Sequence, residues 1–367
     1  MKILLVEPDF PIPAKSKNHC SFLPIGLLKM ASYHRSQGDT VHLNRGNCPA
    51  QFIPDEIKVT SLFTYWSKYV KESVEYYRKL YPEATIEVGG IYASLMPGHC
   101  KEYTGCDKVQ KGVYRAGAAE NCLPAYDLVS VDYQIIHASR GCFRHCNFCG
   151  TWKIEPEVTY KSTILNEIKS NKLVFYDNNL LANPNLKKIL SEIESAKVDN
   201  RAVCCESQSG LDGRLLEKYP DFAVSLKRAR FKNPRIAWDG PVSLKSKVEI
   251  QIDILKKAGY KNSDIFIFML YNHESLMYKE MRKKLEQCRK WGIQVVDCRY
   301  RPLTSVMDNY NPRAKQQARG EYFISSNWTD MQVRRFRRAV RRQNIAIRLD
   351  LPNYRYIDGV ERGYVKI

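Results

Sequence analysis

The sequence predicts an α/β protein in three parts: a parallel-sheet domain over residues 1–125, a partial (β/α)6 barrel over 133–303, and a basic helical extension over 304–367. Three observations predict it. Short apolar runs alternate with amphipathic helical stretches, the pattern of parallel strands with helices packed on the sheet. The alternation breaks near residue 125, resumes near 133 and stops near 303. Basic residues then thicken: residues 311–367 hold 13 Lys and Arg against 5 Asp and Glu, a net of +8.

In the first part, "KILLVEP" is an apolar strand closed by Pro8, and "PIGLLKMASYHRSQG" is a helix with Leu27, Leu28, Met30 and Ala31 on one side and Gly38 as its stop. "TVHLN" and "IKVTSLFT" are the next strands. "SKYVKESVEYYRKLYP" is an amphipathic helix ended by Pro82, "ATIEVGG" is a fourth strand, and "KVQKG" is a fifth. Parallel sheets bind ligands at the carboxyl ends of their strands. Here those ends are Glu7, Pro8 and Asp9, and Gly89 to Ser94.

The second part holds six strand candidates: "YQIIHASRG", "KLVFYDN", "RAVCCESQ", "RIAWD", "DIFIFMLYN" and "IQVVDCRY". Helical stretches separate most of them, ending at Gly259 and Gly292. Six such units suggest an incomplete barrel wound like a TIM barrel, with its site at the strand C-termini. In the third part, "TDMQVRRFRRAVRRQN" reads as a helix with Thr329 as N-cap and Gln332 as capping-box partner.

Composition excludes several classes. Hydrophobic content of 44% and a mean hydropathy of −0.44 suit a globular chain with an ample core. No apolar run approaches the roughly 20 residues needed to span a bilayer. The start turns acidic and proline-bearing too soon for a secretory signal, so a cytoplasmic protein without membrane contact is expected. Twelve cysteines in such a chain favour metal ligation over a disulfide framework where they sit together. A net charge of +19 favours anionic partners, nucleic acid among them.

One cluster stands out. "GCFRHCNFCG" places thiols at Cys142, Cys146 and Cys149, a C-x3-C-x2-C spacing. Thiolates are the standard ligands of iron–sulfur clusters, and three serve only three of the four irons of a cubane. The fourth iron is then open to a small ligand. Zinc is the rival, but a structural zinc site wants four ligands. His145 adjoins Cys146, and adjacent residues rarely share one tetrahedral metal. A distant fourth ligand such as Cys204 or Cys205 stays open, and with it a non-catalytic, zinc-stabilised nucleic-acid-binding protein.

"CFRHCNFC", with Phe148 in its aromatic place, resembles the signature of the radical S-adenosylmethionine (SAM) superfamily, and the resemblance extends over the barrel by strand count and order. It implies a [4Fe-4S] cluster on Cys142, Cys146 and Cys149 whose open iron chelates SAM. Reductive cleavage of SAM to a 5′-deoxyadenosyl radical is then expected, with an electron donor such as flavodoxin or ferredoxin. Polar strand-end residues would hold SAM: Asp177 and Asn178, Glu206 and Ser207, Asp239, and Tyr271, with Phe148 near the adenine. Glu206 or Asp239 is the candidate acceptor for the ribose hydroxyls.

The first part resembles the Rossmann-like, cobalamin-binding type of domain that precedes many such barrels, by strand order and by the Gly89-Gly90 turn followed by Ala93 and Ser94. Cobalamin is therefore an implied cofactor, and a cobalamin-dependent radical SAM methyltransferase an alternative. The D-x-H-x-x-G cobalt-ligand motif is absent, His19 and His42 lie in no such context, and Tyr92 stands where the family often has His. Cys20, Cys48 and Cys100 are scattered and read as ordinary thiols.

Two basic clusters remain. "VRRFRRAVRR" carries Arg334, Arg335, Arg337, Arg338, Arg341 and Arg342 beside an apolar stripe of Val333, Phe336 and Val340. "LKRARFKNPR" sets Lys227, Arg228, Arg230, Lys232 and Arg235 around Phe231. Arginine matches phosphate bidentately, so a polyanionic partner is expected of both.

Overall fold

The computed structural model describes residues 1–12, 22–114 and 119–351, so His19 and Cys20 lie outside the described residues. The chain forms two compact units. The first comprises Met1–Tyr133, Gly141–Val158 and Pro302–Asn309. The second comprises Gln134–Arg140, Thr159–Arg301 and the chain from Tyr310 onward.

The first unit contains, in chain order, β1 (Lys2–Glu7), α1 (Ile25–Ser36), β2 (Thr40–Arg45), β3 (Glu56–Ser61), α2 (Ser67–Leu80), β4 (Thr85–Gly90), α3 (Ile91–Leu95), α4 (Pro97–Thr104) and β5 (Lys108–Val109). All five strands pair in parallel, in the order β2-β1-β3-β4-β5. The apolar run of β1 is continuous because both faces are covered. Leu4 and Val6 join Ile57, Val59, Val70, Val74 and Tyr77 in one core cluster. Ile3 and Leu5 join Leu27 and Ala31 of α1 in another. Lys58 is buried between Glu56 and Glu87, at 2.8 and 2.9 Å. Burial alone would lower its pKa, but the two carboxylates outweigh it and the net shift is upward.

The Gly89-Gly90 turn has a local cause. Gly90 lies at φ +99°, and a β-carbon there would fall 2.2 Å from the Ser61 carbonyl oxygen. Ser61 Oγ donates to Gly89 O at 2.7 Å and accepts from the Ala93 N–H at 3.1 Å. The glycines let β4 close onto the end of β3.

The remaining elements are β6 (Gln134–Ile136), β7 (Ser139–Arg140), α5 (Thr151–Ile154), β8 (Thr159–Tyr160), β9 (Lys172–Phe175), α6 (Leu186–Ser195), β10 (Lys197–Val198), β11 (Arg201–Ala202), β12 (Cys204–Ser207), α7 (Gly213–Lys218), α8 (Asp221–Arg228), β13 (Phe231–Lys232), β14 (Arg235–Ala237), α9 (Lys245–Lys257), β15 (Phe266–Tyr271), α10 (Tyr278–Trp291), β16 (Gln294–Arg299) and α11 (Asp330–Arg348). All but α5 belong to the second unit. Its parallel strands follow chain order in two sheets, β6-β9-β12-β13 and β14-β15-β16. A single parallel bridge, Leu211 to Ile236, lies beside the second sheet.

Each expected strand is present, with three local departures. "RAVCCESQ" divides at Val203, and its first part, β11, pairs antiparallel with β10. "YQIIHASRG" divides at His137–Ala138, and β7 turns aside to pair antiparallel with β8. β13 arises inside what read as a basic surface cluster. That cluster is dispersed: Arg230 donates to the carbonyls of Val203, Ile193 and Glu194, and Arg235 is buried against Glu206.

Helix α11 starts as expected, with Thr329 and Gln332 forming a capping box. Val333, Phe336 and Val340 are buried, and α11 packs on β16 and α10. Arg334 departs from the expected basic surface. It is 3% exposed, pairs with Asp330 at 2.8 Å, and donates to Asn311 O and Ala314 O. No helix among the described residues is long and apolar enough to cross a membrane.

Two glycines separate strain from propensity. Gly90→Ala should destabilise the protein, by about 1–2 kcal/mol for the left-handed backbone plus about 1–3 for the overlap. Gly26→Ala, on α1 with nothing within 4 Å, should stabilise by about 0.5–1 kcal/mol. Urea unfolding of both variants checks the pair.

Candidate functional site

Side chains alternate across a strand, so register decides which residues of the second unit share a face. Ala237, Phe268 and Val296 are opposite one another in β14, β15 and β16, and Leu270 lies opposite Cys298. The intervening residues Ile236, Trp238, Ile267, Met269 and Tyr271 are at most 1% exposed. These pack toward the helices: Trp238 meets Trp291 of α10, and Tyr271 meets Phe336 of α11. The other face is not filled. Ala237, the last residue of the edge strand β14, is exposed, and Phe268, Val296 and Cys298 are half-buried, while Leu270 is buried. An apolar surface left partly open on a sheet face is a common setting of a small-molecule site.

Polar groups border this open face. Glu206 lies opposite Val174 and, through β9, in the row of Ile135. It is 5% exposed, and its Oε1 is paired with Arg235 Nη2. Arg235 Nη1 also donates to Ser207 O at 2.6 Å. Glu206 Oε2 is buried and has no hydrogen-bond partner. An acceptor left this way costs about 1–3 kcal/mol, which a ligand hydroxyl would recover. Burial pushes the Tyr176 hydroxyl up to about 12, with Glu206 adding to the shift. Asp239 accepts from the Leu270 N–H at 3.3 Å, and burial raises its pKa against the pull of Lys284 and Arg214. Burial, with Asp239 and Asp297 adding, pushes the Cys298 thiol up to about 12.

The other expected cofactor residues are placed differently. Asp177 is fully buried and turned onto the chain itself. It accepts from Ser139 N at 2.6 Å, Ser139 Oγ at 2.7 Å and Ala138 N at 3.0 Å. Burial raises its pKa to about 6 against those donors. Its carboxylate therefore clamps the turn between β6 and β7. Asn178 is half-buried beside it. Ser207 Oγ donates to Gly210 O at 3.0 Å. Tyr271 faces Trp328 and Phe336 on the helix side, and its hydroxyl has no partner.

Lys284 carried no sequence signal. Within the amphipathic pattern of α10 it reads as one more surface lysine, yet it is 0% exposed. Its Nζ donates to Trp238 O at 2.5 Å and Gly240 O at 3.0 Å, holding the backbone on either side of Asp239. Burial lowers its pKa to about 8. Arg235 was also missed as a site residue, because its partner Glu206 stands 29 positions away.

The cysteine loop belongs to the first unit, with α5 directly after it. Gly150 sits against Leu95 and Leu303, where a β-carbon would come within 3.4 to 3.6 Å of their methyl groups. Gly141, at φ +73°, could carry no β-carbon without meeting Glu157 O at 2.3 Å. Its N–H donates to Glu155 at 2.9 Å. Cys142, Cys146 and Cys149 are half-buried thiols, none in a disulfide. The Arg144 N–H points at Cys142 Sγ at 3.4 Å, and Cys149 Sγ lies 3.3 Å from Thr151 Oγ1. Trp152 donates to Cys146 O at 3.1 Å and carries the His145 ring at 5.3 Å. Phe148 is half-buried. Among the described residues no three His, Cys, Asp or Glu stand in a metal-holding arrangement. The donor set fits an iron–sulfur group by chemistry, three thiols with an N–H directed at one sulfur, while the gathering of ligands is work that metal binding itself does.

The cobalamin features of the first unit have other uses. The Gly89-Gly90 turn serves the close approach to Ser61. Tyr92 is buried with its hydroxyl 2.6 Å from His99 Nδ1, and His42 packs edge-on against Phe52. Cys100 is buried, and Cys48 is exposed.

No family model matches the sequence, and no curated protein matches it. The fold is nevertheless shared with a radical S-adenosylmethionine methyltransferase of known structure. That protein is TsrM from Kitasatospora setae, solved with its tryptophan substrate and the SAM analogue aza-SAM. The match has a TM-score of 0.63 and 14% identity, and covers 82% of this chain and 72% of TsrM.

Lys284 gives the site a pH signature. Between pH 8 and 10.5 the unfolded chain holds the Lys284 proton and the folded chain does not. The unfolded state then binds more protons, and this group makes stability rise with pH across that window. Lys284→Met should remove that rise. Denaturation midpoints of both proteins at pH 7.5 to 10, read as about three points, test it.

Proposed function

We propose that this chain is a radical SAM enzyme in which Cys142, Cys146 and Cys149 hold a [4Fe-4S] cluster. The second unit would form a partial (β/α)6 barrel whose open face holds S-adenosylmethionine. The observation that carries the proposal is the C-x3-C-x2-C spacing with Phe148, in the loop after β6 and β7 of a chain that shares its fold with TsrM. When bound and reduced, the cluster would supply the electron that splits the SAM sulfonium, giving a 5′-deoxyadenosyl radical.

The chain's own residues would bind, orient and shield. Glu206 Oε2 would accept from a ribose hydroxyl while Arg235 fixes the other oxygen. Asp239 would offer a second acceptor, held in place from behind by Lys284. Ala237, Phe268 and Val296 would exclude water from the adenosyl group. Asp177 would act by fixing the turn before the cysteine loop, while Phe148, Asn178 and Ser207 are the further contacts proposed for the cofactor. The electron would come from a small donor protein such as flavodoxin or ferredoxin, in the cytoplasm. Methyl transfer, with or without cobalamin, is the second reading, favoured by the fold shared with a methyltransferase.

Anaerobic reconstitution with iron and sulfide should yield a brown protein with about four irons per chain. With SAM and a reductant it should release 5′-deoxyadenosine; methyl transfer would instead show as S-adenosylhomocysteine. Cys146→Ala should lose the cluster. A colourless protein holding only zinc would overturn the proposal in favour of a zinc-stabilised binding protein. Glu206→Gln should keep its iron and bind SAM about tenfold more weakly, about 1.4 kcal/mol. Equal affinity in calorimetry would remove Glu206 from the cofactor site.

A further inference from the structure

The helix side of the second unit carries a feature that the SAM site leaves unexplained. Two cavities of about 490 Å3 each lie along α10 and α11, and they share Arg289 and Gln343. Together they form one furrow. Gln343 Nε2 donates to Leu285 O at 3.0 Å and closes its floor. Lys279, Arg282, Lys283, Arg289 and Arg348 line it against only Glu286 and Asp350, and Glu286 is tied to Arg289 at 2.6 Å. Lys279 and Lys283 are exposed. On α11, Arg335, Arg338 and Arg342 follow at helical spacing beside the lining residue Ala339.

We propose that this furrow binds the phosphodiester backbone of a single-stranded nucleic acid. Charge selects a polyanion, in keeping with the net +19 of the whole chain. An unpaired strand can offer its base faces to a neighbouring aromatic ring, whereas a duplex keeps them within its own stack. From Lys279 to Arg289 the furrow runs about 15 Å, with Lys279, Arg282 and Lys283 grouped at one end and Arg289 at the other. Tyr278, half-buried at one end, supplies a ring on which a base can stack. The inference is independent of the cluster and of SAM.

Fluorescence anisotropy of the full chain with labelled oligouridylate or oligothymidylate of about 12 nucleotides tests it. Binding of either oligomer should weaken with salt. The double variant Lys279→Gln, Lys283→Gln should bind at least about tenfold more weakly at low salt, and the log–log salt slope should fall by about 1.4, or 0.7 for each lost phosphate contact. Lys187→Gln, Lys188→Gln removes the same charge from α6 and should cost less than about twofold. Equal losses in the two double variants would reduce the effect to net charge and overturn the proposal. So would an unchanged affinity in the first, or polyglutamate that competes as well as the oligonucleotide.

Discussion

Parallel pairing in chain order is the constraint on which the second unit depends. A strand shows its side chains alternately to two sides, and α10 and α11 cover only one of them. In "RIAWD" the large residues Ile236 and Trp238 go under the helices, and Ala237 and Asp239 go to the other side. The same alternation sends Ile267, Met269 and Tyr271 one way and Phe268 and Leu270 the other. An alanine on the edge strand leaves space that a larger residue would have filled, and the proposed site follows from what the sheet does not pack.

Buried charge is then concentrated where strands end. A strand's last carbonyls and the N–H groups of the following turn lose their ladder partners, and a side chain must replace them or the groups stay unsatisfied. Lys284 does this for Trp238 and Gly240, and Asp177 for Ala138 and Ser139. Asn272, itself in the left-handed region at φ +61°, does it for Phe323 and Ser325. Each of these groups is spent on the backbone. Glu206 differs, because one of its oxygens is left over. That difference, rather than acidity or position alone, is what marks Glu206 as the proposed ligand-binding carboxylate among the strand-end residues.

The sequence made the elements legible because their signals are local. Apolar runs located the strands, and Thr329 with Gln332 located the start of α11. The three cysteines span eight positions and needed no tertiary knowledge. Direction was not legible. Arg230, Arg235 and Arg334 sit in basic stretches that read as surface, yet each turns inward to acceptors brought from 17 to 37 positions away. Nor was it legible that Asp177, expected at the cofactor, accepts from residues 38 and 39 positions earlier. β13 was missed because two residues, Phe231 and Lys232, carry no periodicity.

The same distinction explains how a fold persists at 14% identity. A parallel sheet asks only for apolar residues at alternating or continuous positions, and many sequences satisfy that. A cluster loop asks for particular thiols at a particular spacing, which few do. An open face asks for less still at its centre, where small or flat apolar side chains suffice, and for more at its rim. Here the rim holds Glu206 locked by Arg235 and Asp239 pinned from behind, around Ala237, Phe268 and Val296. A flat apolar body bearing vicinal hydroxyls at one edge satisfies both demands at once, since the body displaces water from the centre while a hydroxyl reaches Glu206 Oε2. Adenosine has that form.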